Sequence, residues 1–204
     1  MANAYMIHLE GATERLPLIE ELKEKTGLPI QIFSASNGEA TWNNEAIVKR
    51  HPSRFDKLTQ GMIGCLESHM TILEREVAST EPFFLFEDDG EMLAPFQDFI
   101  DGAPPQWDIL LLGANQIVDS TAHNEKYRRV LKFWGTHAMV IHGRCTSKIL
   151  EVARVYMKQG IYLPADWLYN TAIRTLGITA YCSNGTGFFK QKSGLISSIT
   201  GNMR

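Results

Sequence analysis

Three consecutive carboxylates, Glu87, Asp88 and Asp89, stand directly after the apolar run Phe-Phe-Leu-Phe at residues 83–86. Adjacent carboxylates repel one another, and each resists ionisation unless a cation compensates its charge. Their oxygens suit hard divalent ions such as Mg²⁺ or Mn²⁺, which commonly also coordinate substrate phosphates. The cluster therefore indicates either a metal-binding site or a solvated acidic turn.

The apolar run predicts the element that positions this cluster. Residues 82–86 are apolar without the alternation of a half-exposed strand, so we expect a strand covered on both faces in a parallel sheet. In open α/β sheets ligands bind beyond the carboxyl ends of the strands, where the cluster would lie. Because side chains alternate along a strand, Glu87 and Asp89 should share one side and Asp88 should point to the other.

The rest of the chain alternates segments typical of strands and helices. A strand at 5–9, a helix at 13–25 ended by Gly27 and a strand at 29–33 form a parallel α/β unit. Further helices are predicted at 61–79, 144–159 and 165–176, and further strands at 107–113, 130–133, 137–141 and 178–182. The pattern predicts an α/β fold.

The predicted helix at 61–79 carries polar residues that could belong to a site. In the helix at 61–79, Gly61, Gly64 and Ser68 form a strip of small side chains that would let another backbone approach closely. His69 follows in the same helix and has either a structural hydrogen bond or a place beside the acidic cluster. Cys65 lies four residues before His69, but no second ligand pair is evident, so we do not expect a zinc site.

Composition limits the classes of function. The 204 residues fit one domain, and the net charge of −3 argues against phosphate-tracking contact with nucleic acid. The three cysteines are far apart and are expected to be reduced thiols. No secretory signal is evident and no apolar stretch approaches the ~20 residues of a membrane helix, so a cytoplasmic location is expected.

Several blocks of the sequence, in order, resemble glycosyltransferase family 25, which includes lipopolysaccharide sugar transferases and collagen galactosyltransferases. The most distinctive are GMIGCLESH at 61–69 and FLFEDD at 84–89. The others are IHLE at 7–10 followed by Arg15, ASNG at 35–38, residues 107–113, Gly135-Thr136 and PAD at 164–166. Together these blocks span nearly the whole chain.

The resemblance implies a single GT-A-type domain over residues 1–204, with a mostly parallel twisted sheet flanked by helices. It also implies a hexosyltransferase that uses a UDP-sugar donor and Mn²⁺ or Mg²⁺, inverts the anomeric carbon, and acts on a glycan or a lipid-linked saccharide. Such an enzyme could reach its acceptor in solution or by peripheral contact with a membrane. Residues 183–204 would form a tail that closes over the ligand or a frayed terminus.

Carried over by position, the resemblance implies roles for individual residues. Asp89 and Glu87 would hold the metal, and Glu87 and Asp88 would also contact the ribose-diphosphate. Asp166 would be the base that takes the acceptor proton, although a carboxylate at a helix start can also simply stabilise the helix. The remaining implied residues are Ser68 and His69 beside the acidic cluster, Arg15, Ala35, Asn37 and Gly38 near the nucleotide, and Lys192 at the phosphates.

Some residues depart from the family pattern and some alternatives stay open. No histidine follows His142, so a late histidine ligand is absent, and water, Asp166 or the donor would complete the metal shell. Trp167, next to Asp166, is either a core residue or a surface on which a sugar stacks. Two other functions remain open, namely a catalytically silent protein that binds a nucleotide-sugar or glycan, and a metal-dependent phosphoesterase.

Overall fold

A computed structural model describes residues 2–44 and 59–195. Within these ranges the chain forms an eight-stranded sheet and a separate two-stranded sheet. The strands, in chain order, are β1 (Ala4–His8), β2 (Ile30–Ser34), β3 (Pro82–Glu87), β4 (Gly90–Met92), β5 (Ile109–Gly113), β6 (Gln116–Ala122), β7 (Tyr127–Trp134), β8 (Ala138–His142), β9 (Ala180–Ser183) and β10 (Phe189–Gln191).

Helices connect the strands and cover the large sheet. They are α1 (Leu16–Thr26), α2 (Glu39–Trp42), α3 (Gln60–Arg75), α4 (Gln97–Asp101), α5 (Thr146–Lys158) and α6 (Ala165–Leu176). The predicted helices at 13–25, 61–79, 144–159 and 165–176 are thus confirmed, with ends shifted by a few residues. Gly27 ends α1 in the left-handed conformation, as its position predicted.

The large sheet has the order β2-β1-β3-β8-β5-β9-β7-β6. β1 runs parallel to β2 and β3, and β5 runs parallel to β9. β8 is antiparallel to both β3 and β5, and β7 is antiparallel to β6 and β9. The α/β class is confirmed, but the sheet is mixed rather than mostly parallel. The sequence could not indicate this, because an apolar strand that is covered on both faces carries no signal of its direction.

The core lies in two layers, one on each face of the large sheet. Phe83 and Leu85 of β3 pack with α3, α5 and α6 on one face. Phe84 and Phe86 pack with α1 and α4 on the other. The prediction that β3 is covered on both faces is therefore confirmed, and residues 83–86 are at most 6% exposed. Because residues 83–86 are buried in the sheet, the chain first reaches polar surroundings at Glu87, which is the last residue of β3.

Three strands have no clear signal in the sequence. The segment QIVDSTA of β6 is mostly polar and exposed, and it joins the sheet only through β7. The short strands β4 and β10 pair antiparallel with each other, from Phe189 opposite Met92 to Gln191 opposite Gly90. The first part of the predicted tail, residues 183–195, thus returns to the acidic cluster, and its remainder lies outside the described residues.

Candidate active site

The acidic cluster lies at the edge of the sheet where β1, β2 and β3 end. The parallel register puts His8 opposite Ser34 and Ile7 opposite Glu87, so the loops after all three strands leave from this edge. β8 runs in the opposite direction and therefore begins there. As a result, the Glu87 amide donates to the His137 carbonyl at 2.9 Å.

Glu87, Asp89 and His137 form a group that could hold a divalent cation. One side-chain nitrogen or oxygen from each lies within 4.8 Å of the others. His137 Nδ1 is 3.6 Å from Asp89 Oδ1 and 3.9 Å from Glu87 Oε2, and Nε2 is 2.8 Å from Asn115 Oδ1. Carboxylate oxygens suit Mn²⁺ and Mg²⁺ and imidazole suits several transition metals, so two carboxylates and an imidazole, all largely buried, could hold a divalent cation. The predicted sidedness is confirmed, because Glu87 and Asp89 turn toward His137 together.

Glu87 is held in place by two further side chains. His69 Nε2 lies 3.2 Å from Glu87 Oε1, the Thr136 hydroxyl donates to the same oxygen, and His69 Nδ1 lies 3.0 Å from the Tyr169 hydroxyl. Burial acts to raise the pKa of Glu87, but the hydrogen bond from His69 and the nearby imidazoles outweigh it and lower the pKa. Glu87 is therefore held in one orientation with its ionised form favoured, and His69 contacts the cluster as the resemblance implied.

Asp89 is tied to the second sheet. Gln191 Nε2 donates to Asp89 Oδ2 at 2.6 Å, and the Lys192 amide donates to the Asp89 carbonyl at 2.8 Å. Burial acts to raise the pKa of Asp89, but the hydrogen bond and charge of His137 and the bond from Gln191 lower it overall. The segment around β10 therefore supports the carboxylate that the sequence favoured as the direct metal ligand.

Asp88 points the other way and has a different environment. Its Oδ2 lies 2.7 Å from His8 Nδ1, and its Oδ1 accepts from the Arg15 guanidinium. Asp88 and Arg15 are 5% and 3% exposed. Burial raises the pKa of Asp88 and the Arg15 charge opposes that rise. Both were predicted to contact the nucleotide, and the structure places them in a buried ion pair with His8.

Ser68 joins α3 to the loop after β2. Its hydroxyl donates to the Gly64 carbonyl at 2.7 Å and accepts from the Ser36 amide at 2.9 Å, and its side chain is fully buried. A Cβ on Gly64 would lie 2.2 Å from the Ser36 carbonyl oxygen, and one on Gly38 would lie 2.3 Å from the Gln60 carbonyl oxygen. The predicted close approach at Gly64 and Ser68 is confirmed, and the backbone that approaches is the loop containing Ala35, Asn37 and Gly38.

Asp166 faces a cavity of about 250 Å³ beside the acidic cluster. Its Oδ2 accepts from the Gly135 amide at 3.2 Å and its Oδ1 from the Trp167 amide at 2.8 Å. Burial raises the pKa of Asp166 although these two amides lower it. The other residues that line the cavity are Met62, Cys65, Glu87, Asn115, Trp134, Gly135, Thr136, His137, Pro164 and Ala165.

The side chains of Lys192 and Cys65 lie at the border of the site. Lys192 Nζ donates to Glu91 Oε1 at 2.6 Å, and this bond raises the pKa of Lys192. The lysine side chain is thus directed at Glu91 while its backbone holds Asp89. Cys65 forms a second group of possible ligand atoms with His69 and Glu87, again within 4.8 Å. The spacing of Cys65 and His69 indicated that both could contact one metal, but it did not indicate Glu87 as the third member.

We did not predict His137 as a site residue, because we expected the strands to be parallel. In a parallel sheet the carboxyl end of the strand at 137–141 would lie at the site, and His137 would lie at the opposite end of that strand. In the antiparallel arrangement the strand begins at the site, and Ala138 stands opposite Phe86. The signal that could have found His137 is its position directly after Gly135-Thr136, one of the blocks that carried the resemblance.

Comparison with solved structures identifies the class of fold. A Drosophila β1,4-galactosyltransferase 7, solved with manganese, UDP-Gal and xylobiose, has a TM-score of 0.51 and 8% identity, over 93% of this chain and 70% of that chain. A glycosyltransferase involved in the glycosylation of the major capsid of PBCV-1 has a TM-score of 0.46 and 11% identity, over 86% of this chain and 76% of that chain. UDP-glucose pyrophosphorylase with UDP-glucose has a TM-score of 0.48 and 11% identity, over 93% and 92%. The likeness to the galactosyltransferase shows that the fold is of the GT-A type.

The sequence identifies the family. The profile of glycosyltransferase family 25, described as an LPS biosynthesis protein, matches residues 1–147, and the chain belongs to this family. It is therefore a glycosyltransferase. No curated protein sequence matches the chain significantly. Among the helices in residues 2–44 and 59–195, none combines the length and apolar character needed to cross a membrane.

Proposed function

We propose that the protein moves a hexose from a UDP-sugar to a hydroxyl of a glycan or lipid-linked saccharide, with a divalent metal and with inversion at the anomeric carbon. One observation carries this proposal. Glu87 and His137 of the metal-ligand group line the same cavity as Asp166, so a candidate cation site and a half-buried carboxylate flank one space. A sugar transferase needs both, for the leaving diphosphate and for the attacking hydroxyl.

Glu87, Asp89 and His137 would hold the metal. The low pKa values of Glu87 and Asp89 keep both carboxylates ionised, so the group offers negative charge to a cation without a proton to displace. When bound, a divalent ion neutralises the charge that develops on the leaving diphosphate. His69 and Thr136 orient Glu87, and Gln191 orients Asp89, as hydrogen-bonded partners of metal ligands commonly do.

Asp166 would act as the base for the acceptor hydroxyl. The Gly135 and Trp167 amides fix the direction of its carboxylate, and burial raises its pKa. A raised pKa makes the carboxylate a better proton acceptor near neutral pH. An attack from the side opposite the leaving group needs one such base, and this is the chemical basis for proposing inversion.

The donor nucleotide would lie toward the loop after β2. Ser68 and the glycine contacts press Ala35, Asn37 and Gly38 against α3 at the same sheet edge. Asp88 and Arg15 would support the donor site through their buried ion pair, which anchors the backbone between Glu87 and Asp89. Lys192 would act through its amide on Asp89 and would reach phosphate only by leaving Glu91.

The test is release of UDP from UDP-galactose and UDP-glucose in the presence of saccharide acceptors. We expect the wild-type protein to release UDP with Mn²⁺ and to lose this activity with EDTA. Asp89→Asn should lower the rate at least about 100-fold, because it removes a ligand charge while conserving shape. Asp98→Asn, the same change at an exposed carboxylate of α4, should leave the rate unchanged.

The outcomes separate the alternatives. Binding of UDP-sugar without release across the acceptors would indicate a catalytically silent protein. Hydrolysis of a simple phosphodiester without UDP-sugar binding would indicate a phosphoesterase. Full activity of Asp89→Asn would contradict the assignment of the metal group, and retention of the anomeric configuration in the product would contradict inversion.

A further inference from the structure

The four tryptophans of the chain fall into two pairs with different surroundings. Trp42 packs against the hydrophobic cluster on one face of the sheet and Trp107 against the cluster on the other. In the part of the chain that the structure describes, neither cluster includes Trp134 or Trp167. The position of this second pair is therefore not explained by packing in the core.

Trp134 and Trp167 pack against each other next to the cavity. Their ring centroids are 5.6 Å apart with an interplanar angle of 31°. Trp134 is half-buried, lines the cavity, and has Lys132 Nζ 4.7 Å from its ring centroid. Trp167 is 38% exposed. The pair therefore joins the wall of the cavity, to which Trp134 belongs, to an accessible indole surface on Trp167.

One hydrogen bond joins the turn after Trp134 to the start of α6, which carries Trp167. The Gly135 amide donates to Asp166 Oδ2, so the residue after Trp134 is held against the residue before Trp167. Gly135 has φ of +80°, and a Cβ there would lie 2.9 Å from Asn115 Nδ2. A glycine is required at this position, and the resulting turn sets the tryptophan pair beside the carboxylate.

We propose that the Trp134–Trp167 pair is the acceptor subsite and that it binds a pyranose ring by stacking. This inference rests on the proposed function, because it assigns the acceptor class to the site in which Asp166 is the base. A pyranose presents axial C–H groups on one face, and these carry partial positive charge toward the negative face of an indole. Its hydroxyls at the ring edge remain directed at polar groups, of which Asp166, Asn115 and Thr136 line the cavity.

Stacking of a sugar ring on the tryptophan pair would explain why the pair lies beside Asp166. A hydroxyl must be held within about 3 Å of the base while the acceptor remains free to leave after reaction. A flat aromatic surface fixes the plane of a sugar ring at little entropic cost, because the indole side chain has two rotatable bonds. The subsite thus selects a saccharide acceptor over an open-chain alcohol, which has no ring face.

Binding of methyl pyranosides tests the subsite without turnover. Saturation-transfer NMR would be recorded with the methyl glycosides of galactose, glucose, mannose and N-acetylglucosamine, with UDP and the diamagnetic ion Mg²⁺ present, and with glycerol as an open-chain probe. We expect at least one pyranoside to bind, with saturation concentrated on the C–H protons of one ring face. Trp167→Ala should weaken its binding about ten-fold, and Trp167→Phe should retain most of it.

Trp107→Ala makes the same side-chain change away from the cavity, beside His142 at the other end of β8, and should leave binding unchanged. If Trp167→Ala does not fold, Trp167→Leu keeps apolar volume without a ring and should show the same loss. Pyranosides that bind no better than glycerol, or binding unchanged in folded Trp167 variants, would overturn the subsite even if sugar transfer occurs. Ring-dependent binding without UDP release would support the subsite while the proposed function fails.

Discussion

Three neighbouring carboxylates have different partners because each follows the alternation of β3. Glu87 and Asp89 turn toward His137, whereas Asp88 turns toward His8 and Arg15. This division follows from the period of two along a strand and was predicted from the sequence. The partners themselves were not predicted, since His8, Arg15 and His137 reach the cluster from strands and turns that are distant in sequence.

The buried ion pair of Arg15 and Asp88 leads to a prediction about stability. Arg15→Met should lower the free energy of unfolding by about 3 kcal/mol, because it leaves the buried Asp88 charge without its guanidinium partner. Urea unfolding monitored by circular dichroism measures this change. The double variant Arg15→Met/Asp88→Asn should lose less than the sum of the two single variants, since the two groups interact directly.

Unchanged stability of Arg15→Met would instead favour the role that the resemblance implied, which is a place near the nucleotide. If Arg15→Met unfolds at the wild-type urea concentration and only the KM for UDP-sugar rises, Arg15 contacts the nucleotide. A loss of stability in the double variant equal to the sum of the two single losses would contradict direct coupling with Asp88.

At the scale of elements, two glycines let the loop after β2 contact the first half of α3. Gly64 on the helix and Gly38 on the loop face each other with no room for a Cβ on either. The spacing of Gly61, Gly64 and Ser68 predicted a close approach on this face of the helix. The sequence could not say which backbone approaches, because that depends on the order of strands β2 and β1 in the sheet.

Gly64→Ala should disturb the loop and the helix together. The added Cβ would lie 2.2 Å from the Ser36 carbonyl oxygen, so one backbone must shift, and we expect a loss of about 2 kcal/mol in the free energy of unfolding. The loop is proposed to lie at the donor, so the KM for UDP-sugar should also rise. Thermal or urea unfolding and initial rates at varied donor concentration measure both effects.

Gly11→Ala is the matched control for this prediction. A Cβ at Gly11 meets nothing within 4 Å, so stability should stay within about 0.5 kcal/mol of the wild type. A Gly64→Ala variant with wild-type stability would mean that α3 and the loop can separate without cost.

Long apolar elements were predicted and short polar ones were not, for a physical reason. The helix at 165–176 buries apolar residues with a clear helical period, and the strand at 82–86 is a continuous apolar run, so both elements are marked locally in the sequence. β6, β4 and β10 exist because a neighbouring strand supplies hydrogen bonds, and each carries too few apolar residues to show this alone.

At the scale of the whole molecule, the site joins segments that the chain separates widely. Glu87 ends β3, His137 directly precedes β8, Asp166 is the second residue of α6 and Gln191 ends β10. The mixed sheet makes this possible because an antiparallel strand starts where its parallel neighbours end. Strand order and direction result from packing over the whole chain, so the acidic cluster could be located from the sequence but its full set of partners could not.

The hydrogen bond between Gln191 and Asp89 joins residues that are 102 positions apart in the sequence. Removing it tests whether the segment around β10 contributes to the site. Gln191→Ala removes the hydrogen bond to Asp89 Oδ2 but keeps the β10–β4 pairing, which is made by backbone groups. A hydrogen bond that orients a metal-ligating carboxylate typically contributes ten-fold or more to metal affinity. We therefore expect Gln191→Ala to raise the Mn²⁺ concentration for half-maximal UDP release about ten-fold, with little change in melting temperature.

The neighbouring residue Lys190 provides the control because it lies on the same strand and is directed at Glu91, 3.1 Å away, rather than at Asp89. Lys190→Ala removes an exposed ion pair, so neither Mn²⁺ dependence nor stability should change measurably. An equal shift in both variants would indicate a general loosening of β10. An unchanged Mn²⁺ requirement in Gln191→Ala would mean that the segment around β10 does not contribute to metal binding, because Asp89 would then bind the cation equally well without the hydrogen bond from Gln191.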